Sequence, residues 1–176
     1  MPAQAEFRAL RCAVLTLSDT RTLETDTSGD LLVEHLRAAG HHLQDRALLR
    51  DDLYRIRAQV SAWIADPAVE VILSTGGTGL TGRDRTPEAI TPLLDRRIDG
   101  FGELFRQLSY EEIGVSTLES RTFAGAANAA QVAALVGNDS IAVVDTAQKK
   151  VTKTMKVTGL SGALIGLSPR EIARKE

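Results

Sequence analysis

A carboxylate set among glycines is the first chemistry this sequence offers. Residues 69–90 read VEVILSTGGTGLTGRDRTPEAI, with Gly76, Gly77, Gly79 and Gly82 falling inside one short stretch. Without a Cβ, such residues let the chain turn sharply and bring main-chain N–H groups close to a ligand. N–H groups that converge on one point, backed by a helix N-terminus, favour an anion, and phosphate is the usual one. Ser74, Thr75 and Thr78 add hydroxyls, Arg83 and Arg85 add positive charge, and Asp84 adds a carboxylate. Thr86-Pro87-Glu88 reads as a helix start, with Thr86 as N-cap, Pro87 at the first helical position and an acid in the first turn. A flexible surface loop would account for the glycines but not for the arginines, aspartate and threonines among them. Asp84 has a plainer reading, an exposed ion pair with Arg83 or Arg85 that contributes little.

Gly77-Thr78-Gly79-Leu80-Thr81-Gly82 also fits G-x-G-x-x-G, the dinucleotide fingerprint. A nicotinamide-dependent oxidoreductase would need an acid roughly 20 residues further on to hold a ribose. Asp99 stands near that distance, in a loop. Against this reading, a Rossmann helix opens inside the glycines, whereas the helix signal here waits until Thr86.

The elements that must position these residues alternate. Cys12 to Leu17 is a continuous apolar run, as in a strand covered on both faces, and it delivers Ser18-Asp19-Thr20-Arg21 at its end. A helix follows from Asp30, capped by Ser28 or Asp30 and stopped by Gly40. Arg46 to Leu49 forms a second short strand ending at Arg50-Asp51-Asp52, and Ile56, Val60, Trp63 and Ile64 mark a helical stripe. Asp51-Asp52 is read either as a ligand-loop pair or as the N-cap of that helix. Val69 to Leu73 is the strand before the glycines, and Pro87 to about Leu94 the helix after them. Residues 96–102 read as a charged loop whose Phe101 lines a pocket or a subunit contact, and Glu103 to Leu108 restarts a helix. Phe123 to Asn128 is small and Ala-rich, Gln131 to Val136 a weak strand, and Ser140 to Val144 either strand or helix. Lys149, Lys150, Lys153 and Lys156 suggest a solvated helix face, and residues 169–176 a short polar helix or tail. This order predicts an α/β fold, a three-layer sandwich with a mostly parallel central sheet, in one domain over 1–176. Its ligand edge gathers Ser18 to Arg21, Asp51-Asp52, Ser74 to Arg85 and Val136 to Asp139.

Composition narrows the partners. The chain has 176 residues, 43% hydrophobic and 25% charged, with a net charge of −2, which argues against a general nucleic-acid or membrane-binding surface. Cys12 is the single cysteine, so neither an internal disulfide nor a cysteine-based zinc site can form, and it reads as a small buried hydrophobe. His41-His42 read as solvated helix-exit residues. No apolar run reaches the roughly 20 residues needed to span a bilayer, and the N-terminus lacks a signal-peptide core, so the expected compartment is the cytoplasm.

Taken together, Ser74-Thr75-Gly76-Gly77-Thr78-Gly79, Arg83-Asp84 and Thr86-Pro87-Glu88-Ala89 resemble the signature of the MoaB/Mog family of molybdenum-cofactor biosynthesis proteins. Ser18-Asp19, Asp26 to Gly29, Gly100-Phe101-Gly102-Glu103 and Ser120-Arg121 stand in the expected order, over residues 11 to about 130, and most resemble the MoaB branch. The resemblance implies a molybdopterin-binding α/β domain, with Mog-type members adenylylating molybdopterin from Mg-ATP. It implies that Asp51 and Asp84 are catalytic and hold Mg²⁺, with Asp52 as the alternative to Asp51. It implies substrate contacts from Ser18, Asp19, Ser74, Thr75, Gly76, Gly77, Thr78, Gly79, Arg83, Thr86, Pro87, Glu88, Ser120 and Arg121. Homotrimers, or trimers paired into hexamers, are implied too. The alternative is a MoaB-like protein that binds the pterin without turning it over. The family's Pro-Gly loop is replaced by Val136-Gly137-Asn138, and residues 129–176 diverge.

Overall fold

The computed structural model describes residues 8–128 and, as backbone, 130–134, 138–145, 150–161 and 164–165. Strand β1, Arg11–Leu17, is buried from Cys12 onward, and its alternating side chains show what covers it. Cys12 and Val14 pack with Leu32, Val33 and Leu36 of α1 (Thr27–Ala38) and with Phe101 and Phe105 of α4 (Asp99–Ile113). Ala13, Leu15 and Leu17 face the other way, against Ile56, Val60 and Trp63 of α2 (Leu53–Ala65) and Ala89 and Ile90 of α3 (Thr86–Ile90). Period-two side chains of one strand thus serve two cores, which makes three layers.

The main sheet runs β2-β1-β3-β6-β5-β4, with β2 at His42–Leu49, β3 at Val71–Thr75, β4 at Arg96–Arg97, β5 at Phe123–Ala127 and β6 at Ala130–Ala134. β1 pairs in parallel with β2 and β3, and β3 with β6, while β5 is antiparallel to both β6 and β4. The expected three-layer α/β architecture with a mostly parallel sheet is the observed one. A second sheet, ordered β8-β7-β9, is formed by Asn138–Asp145 (β7), Lys150–Ser161 (β8) and Leu164–Ile165 (β9).

Several local expectations change. The cap of α1 is Asp26, which accepts from the Gly29 N–H, so the helix begins before Ser28 and Asp30. β2 starts four residues earlier than its apolar end suggests, because it is an edge strand with polar, half-exposed residues. Phe101 lies inside α4 and is buried against Phe105 and α1, so it lines neither pocket nor exposed loop. The helix after the glycines gives way after Ile90 to a 3₁₀ turn, Thr91–Leu93, with Pro92 inside it. Phe123–Ala127 and residues 138–145 are strands, and Lys150, Lys153 and Lys156 lie on strand β8 rather than on a helix. Val136, Gly137, Lys149 and residues 169–176 lie outside the described residues.

Candidate functional site

Strand register decides which loops meet. Leu17 of β1 lies opposite Leu49 of β2, and Thr16 opposite Thr75 of β3. Ser18, Arg50 and Gly76 therefore leave the sheet side by side, and the Ser18 N–H donates to the Leu49 carbonyl at 2.9 Å. Helix α1 covers one face on the way to β2 and α2 the other on the way to β3, so winding reverses beside β1. A crevice opens outside the carboxyl ends of strands at such a point.

The glycine loop fills it. Gly76 and Gly77 have φ of +104° and +66°, the left-handed region that glycine adopts without strain. A Cβ on Gly76 would stand 2.1 Å from the Leu17 carbonyl oxygen, so the loop is pressed onto the end of β1. A Cβ on Gly77 would lie 2.3 Å from Asp51 Oδ1, and one on Gly79 would lie 2.8 Å from Asp84 Oδ2. Both expected metal-binding carboxylates thus abut one loop, two residues apart. Among the described residues, the N–H groups of Gly77, Thr78 and Gly79 donate to no protein group. Because α3 has only five residues, these amides, rather than a helix dipole, are the groups available to an anion.

Asp51 and Asp52 divide the two roles read for them. Asp52 caps α2, its Oδ1 accepting from the N–H groups of Tyr54 and Arg55 at 3.0 and 2.9 Å. Asp51 points to the glycines, and its Oδ1 is buried without a hydrogen-bond partner among the described residues. Its N–H donates to Asp19 Oδ1 at 3.4 Å. Burial raises the Asp51 pKa, and the charges of Asp19 and Asp84 raise it further, against the Arg85 N–H and the Arg83 charge. Asp84 is held by Thr81, whose N–H and hydroxyl both donate to Oδ2, at 2.8 and 2.5 Å, rather than by Arg83 or Arg85. An orphaned buried carboxylate oxygen beside two more carboxylates fits a hard cation. No trio of His, Cys, Asp or Glu among the described residues forms a cation cage.

The family model described as "Probable molybdopterin binding domain" matches residues 13–158. The chain belongs to this molybdopterin-binding family. It is 54% identical over 133 residues to molybdenum cofactor biosynthesis protein B of Escherichia coli K12, covering 76% of this chain and 78% of that protein. The Staphylococcus carnosus protein of the same name is 44% identical over 149 residues, covering 83% and 86%. Among solved structures, a molybdenum cofactor biosynthesis protein B superposes with a TM-score of 0.70 at 46% identity, over 72% of this chain and 80% of that one. The tungsten cofactor synthesizing protein MoaB of Pyrococcus furiosus superposes with a TM-score of 0.66 at 33% identity, over 76% and 85%.

Within the molybdopterin-binding domain the remaining expected contacts fall into three groups. Ser18, Asp19 and Arg83 lie at the crevice, with the Ser18 hydroxyl accepting from the Thr20 and Arg21 N–H groups at 3.3 and 3.2 Å, whereas Pro87 borders a separate cavity beside Arg97 and Arg106. Ser74, Thr75, Thr78 and Thr86 are buried and shape the loop from beneath. Thr86 is the first residue of α3 rather than its cap; its hydroxyl donates to the Gly76 carbonyl at 2.8 Å and its N–H to the Gly77 carbonyl at 3.0 Å. Glu88 and Arg121 are joined to each other by an ion pair, and the Ser120 carbonyl accepts from Arg106 at 3.2 Å. Asp99, the acid that a nicotinamide site would need, is exposed at the start of α4, 3.8 Å from Arg97 and not at a parallel strand end.

One buried node escapes sequence reasoning. The fully buried Asp26 carboxylate accepts from the Thr16 hydroxyl at 2.8 Å and from Arg46 at 2.7 Å, besides capping α1. It anchors the loop that carries Asp19. The Asp26 to Gly29 motif was the available signal, but Thr16 and Arg46 come from strands far away in the chain.

Proposed function

We propose that this protein acts in molybdenum cofactor biosynthesis, binding molybdopterin at the carboxyl edge of β1 and β3 and adenylylating it with Mg-ATP. The observation that carries the reading is the meeting of Asp51 and Asp84 at neighbouring glycines of one loop, with one Asp51 oxygen buried and unpaired. The shared name of the relatives supports the coarser role.

In the proposed reaction a terminal phosphate oxygen of molybdopterin attacks the α-phosphorus of ATP. A new phosphoanhydride bond forms, the bond between the α- and β-phosphates breaks, and pyrophosphate leaves. Such transfers are accelerated by alignment and by neutralised charge. The Gly77–Gly79 amides hold phosphate oxygens, and Asp51 and Asp84 hold Mg²⁺. Bound there, Mg²⁺ would draw charge from the phosphates as they react. The protein works in the cytoplasm as a homotrimer or as paired trimers.

Purified protein given molybdopterin and Mg-ATP is expected to release pyrophosphate, and Asp84→Asn to lower the rate by about 100-fold or more, as loss of a charge-stabilising group does. Pterin binding without pyrophosphate release would replace this reading with that of a carrier. NAD(H) binding without pterin binding would overturn both.

A further inference from the structure

We propose that Arg121 is a positioning residue that clamps the glycine loop and the Asp84 turn in their ligand-ready shape; the proposal rests on the site reading above. The sequence motif places Arg121 among substrate contacts, where a guanidinium would meet phosphate directly. Each of its three nitrogens already donates within the protein. Nε–H donates to the Gly79 carbonyl at 2.8 Å, one terminal nitrogen to the Asp84 carbonyl, and the other to the Glu88 carboxylate. One planar fork thereby joins three points: the middle of the glycine loop, the turn that presents the Asp84 carboxylate, and helix α3. Its own N–H donates to the Thr78 carbonyl at 3.0 Å, so the main chain adds a fourth tie.

The geometry explains why an arginine stands here. The loop's carbonyls must turn away from the ligand if its N–H groups are to face it, and carbonyls turned away need donors. Gly79 and Asp84 carbonyls find them in a single rigid cation. Lysine, a point donor on a flexible stem, cannot reach the same three acceptors in one plane. Glu88 keeps the guanidinium in register, since its carboxylate draws charge to the α3 side. Two N–H groups of the fork remain, and the side chain also borders a cavity of about 250 Å³ lined by Arg97, Arg106, Thr91 and Thr122. A direct ligand role therefore makes a competing, separable prediction.

Arg121→Ala, Arg121→Lys and Glu88→Gln preserve the main-chain tie to Thr78 and isolate the fork. Amide hydrogen exchange on the ligand-free proteins is expected to speed up at least tenfold at Thr81 and Asp84, whose N–H groups are hydrogen-bonded within the turn, in both Arg121 variants, less in Glu88→Gln, with β1 and β3 amides unchanged. In pyrophosphate release, kcat is expected to fall about 100-fold in Arg121→Ala while KM for molybdopterin stays within about threefold, the pattern of misplaced groups. Added guanidinium ion should restore part of that loss. Unchanged exchange at Thr81 and Asp84, or a raised KM with kcat retained, would overturn the clamp and make Arg121 a direct ligand. Should the wild type release no pyrophosphate, the adenylylation reading falls, while the exchange measurement still decides Arg121.

Discussion

Asp51 concentrates the electrostatic cost of the site. Burial, Asp19 and Asp84 all disfavour its charged form, and its Oδ1 has no partner among the described residues. A carboxyl whose folded pKa stands above its unfolded value of about 3.9 binds protons more tightly when folded. The ligand-free fold is then favoured at low pH and loses that contribution as pH rises through the folded pKa. Asp51→Asn is accordingly expected to raise the melting temperature at pH 7.5, with the gap to wild type shrinking toward pH 4. Scanning calorimetry at the two pH values checks this; a variant that melts lower at pH 7.5 would contradict it. On the proposed function the same substitution should abolish pyrophosphate release, because it removes one of the two carboxylates assigned to Mg²⁺. Cys12 carries no such burden: burial pushes its thiol up to about 12, in keeping with an inert core residue.

At the scale of elements, the glycine loop is a fitted part. Gly77 combines a left-handed backbone with contact on both sides, from Asp51 and Thr86. Gly77→Ala should cost about 1–3 kcal/mol of stability through strain alone, and its methyl group must displace the Asp51 carboxylate. Urea unfolding together with a pyrophosphate assay tests both halves, and a stable variant of undiminished activity would refute the fit. The strand register does the rest: because β1, β2 and β3 are parallel and in step, three loops of unrelated sequence arrive at one edge. Much of this was legible beforehand. Cys12–Leu17 and Val69–Leu73 announced buried strands by unbroken apolar runs, and the amphipathic stripe ending at Trp63 announced α2. What escaped was weak local signal: β2 is polar because it lies at an edge, and the start of α4 carries Gly100 and Gly102, residues that disfavour helix until packing overrides them.

For the whole molecule, Tyr110, Val115 and Leu118 stand exposed where α4 runs into the 3₁₀ turn Gly114–Glu119. The proposed assembly would bury these apolar side chains between subunits. Sedimentation of the purified protein is expected to give trimers or hexamers, and Leu118→Glu to shift them toward monomers. A wild-type monomer at micromolar concentration would refute the assembly. Among the described residues, no helix is long and apolar enough to cross a membrane.

By itself the sequence determined the layered α/β plan and the glycine loop, because apolar periodicity and glycine chemistry are local and survive in one dimension. The tertiary structure alone showed that Asp52 caps α2 while Asp51 faces the glycines, that Asp84 is held by Thr81 rather than by Arg83 or Arg85, and that Arg121 donates to Gly79, Asp84 and Glu88. Those choices depend on where a side chain points and on which distant backbone groups need donors. Such demands arise only when β1, β2 and β3 bring their ends together.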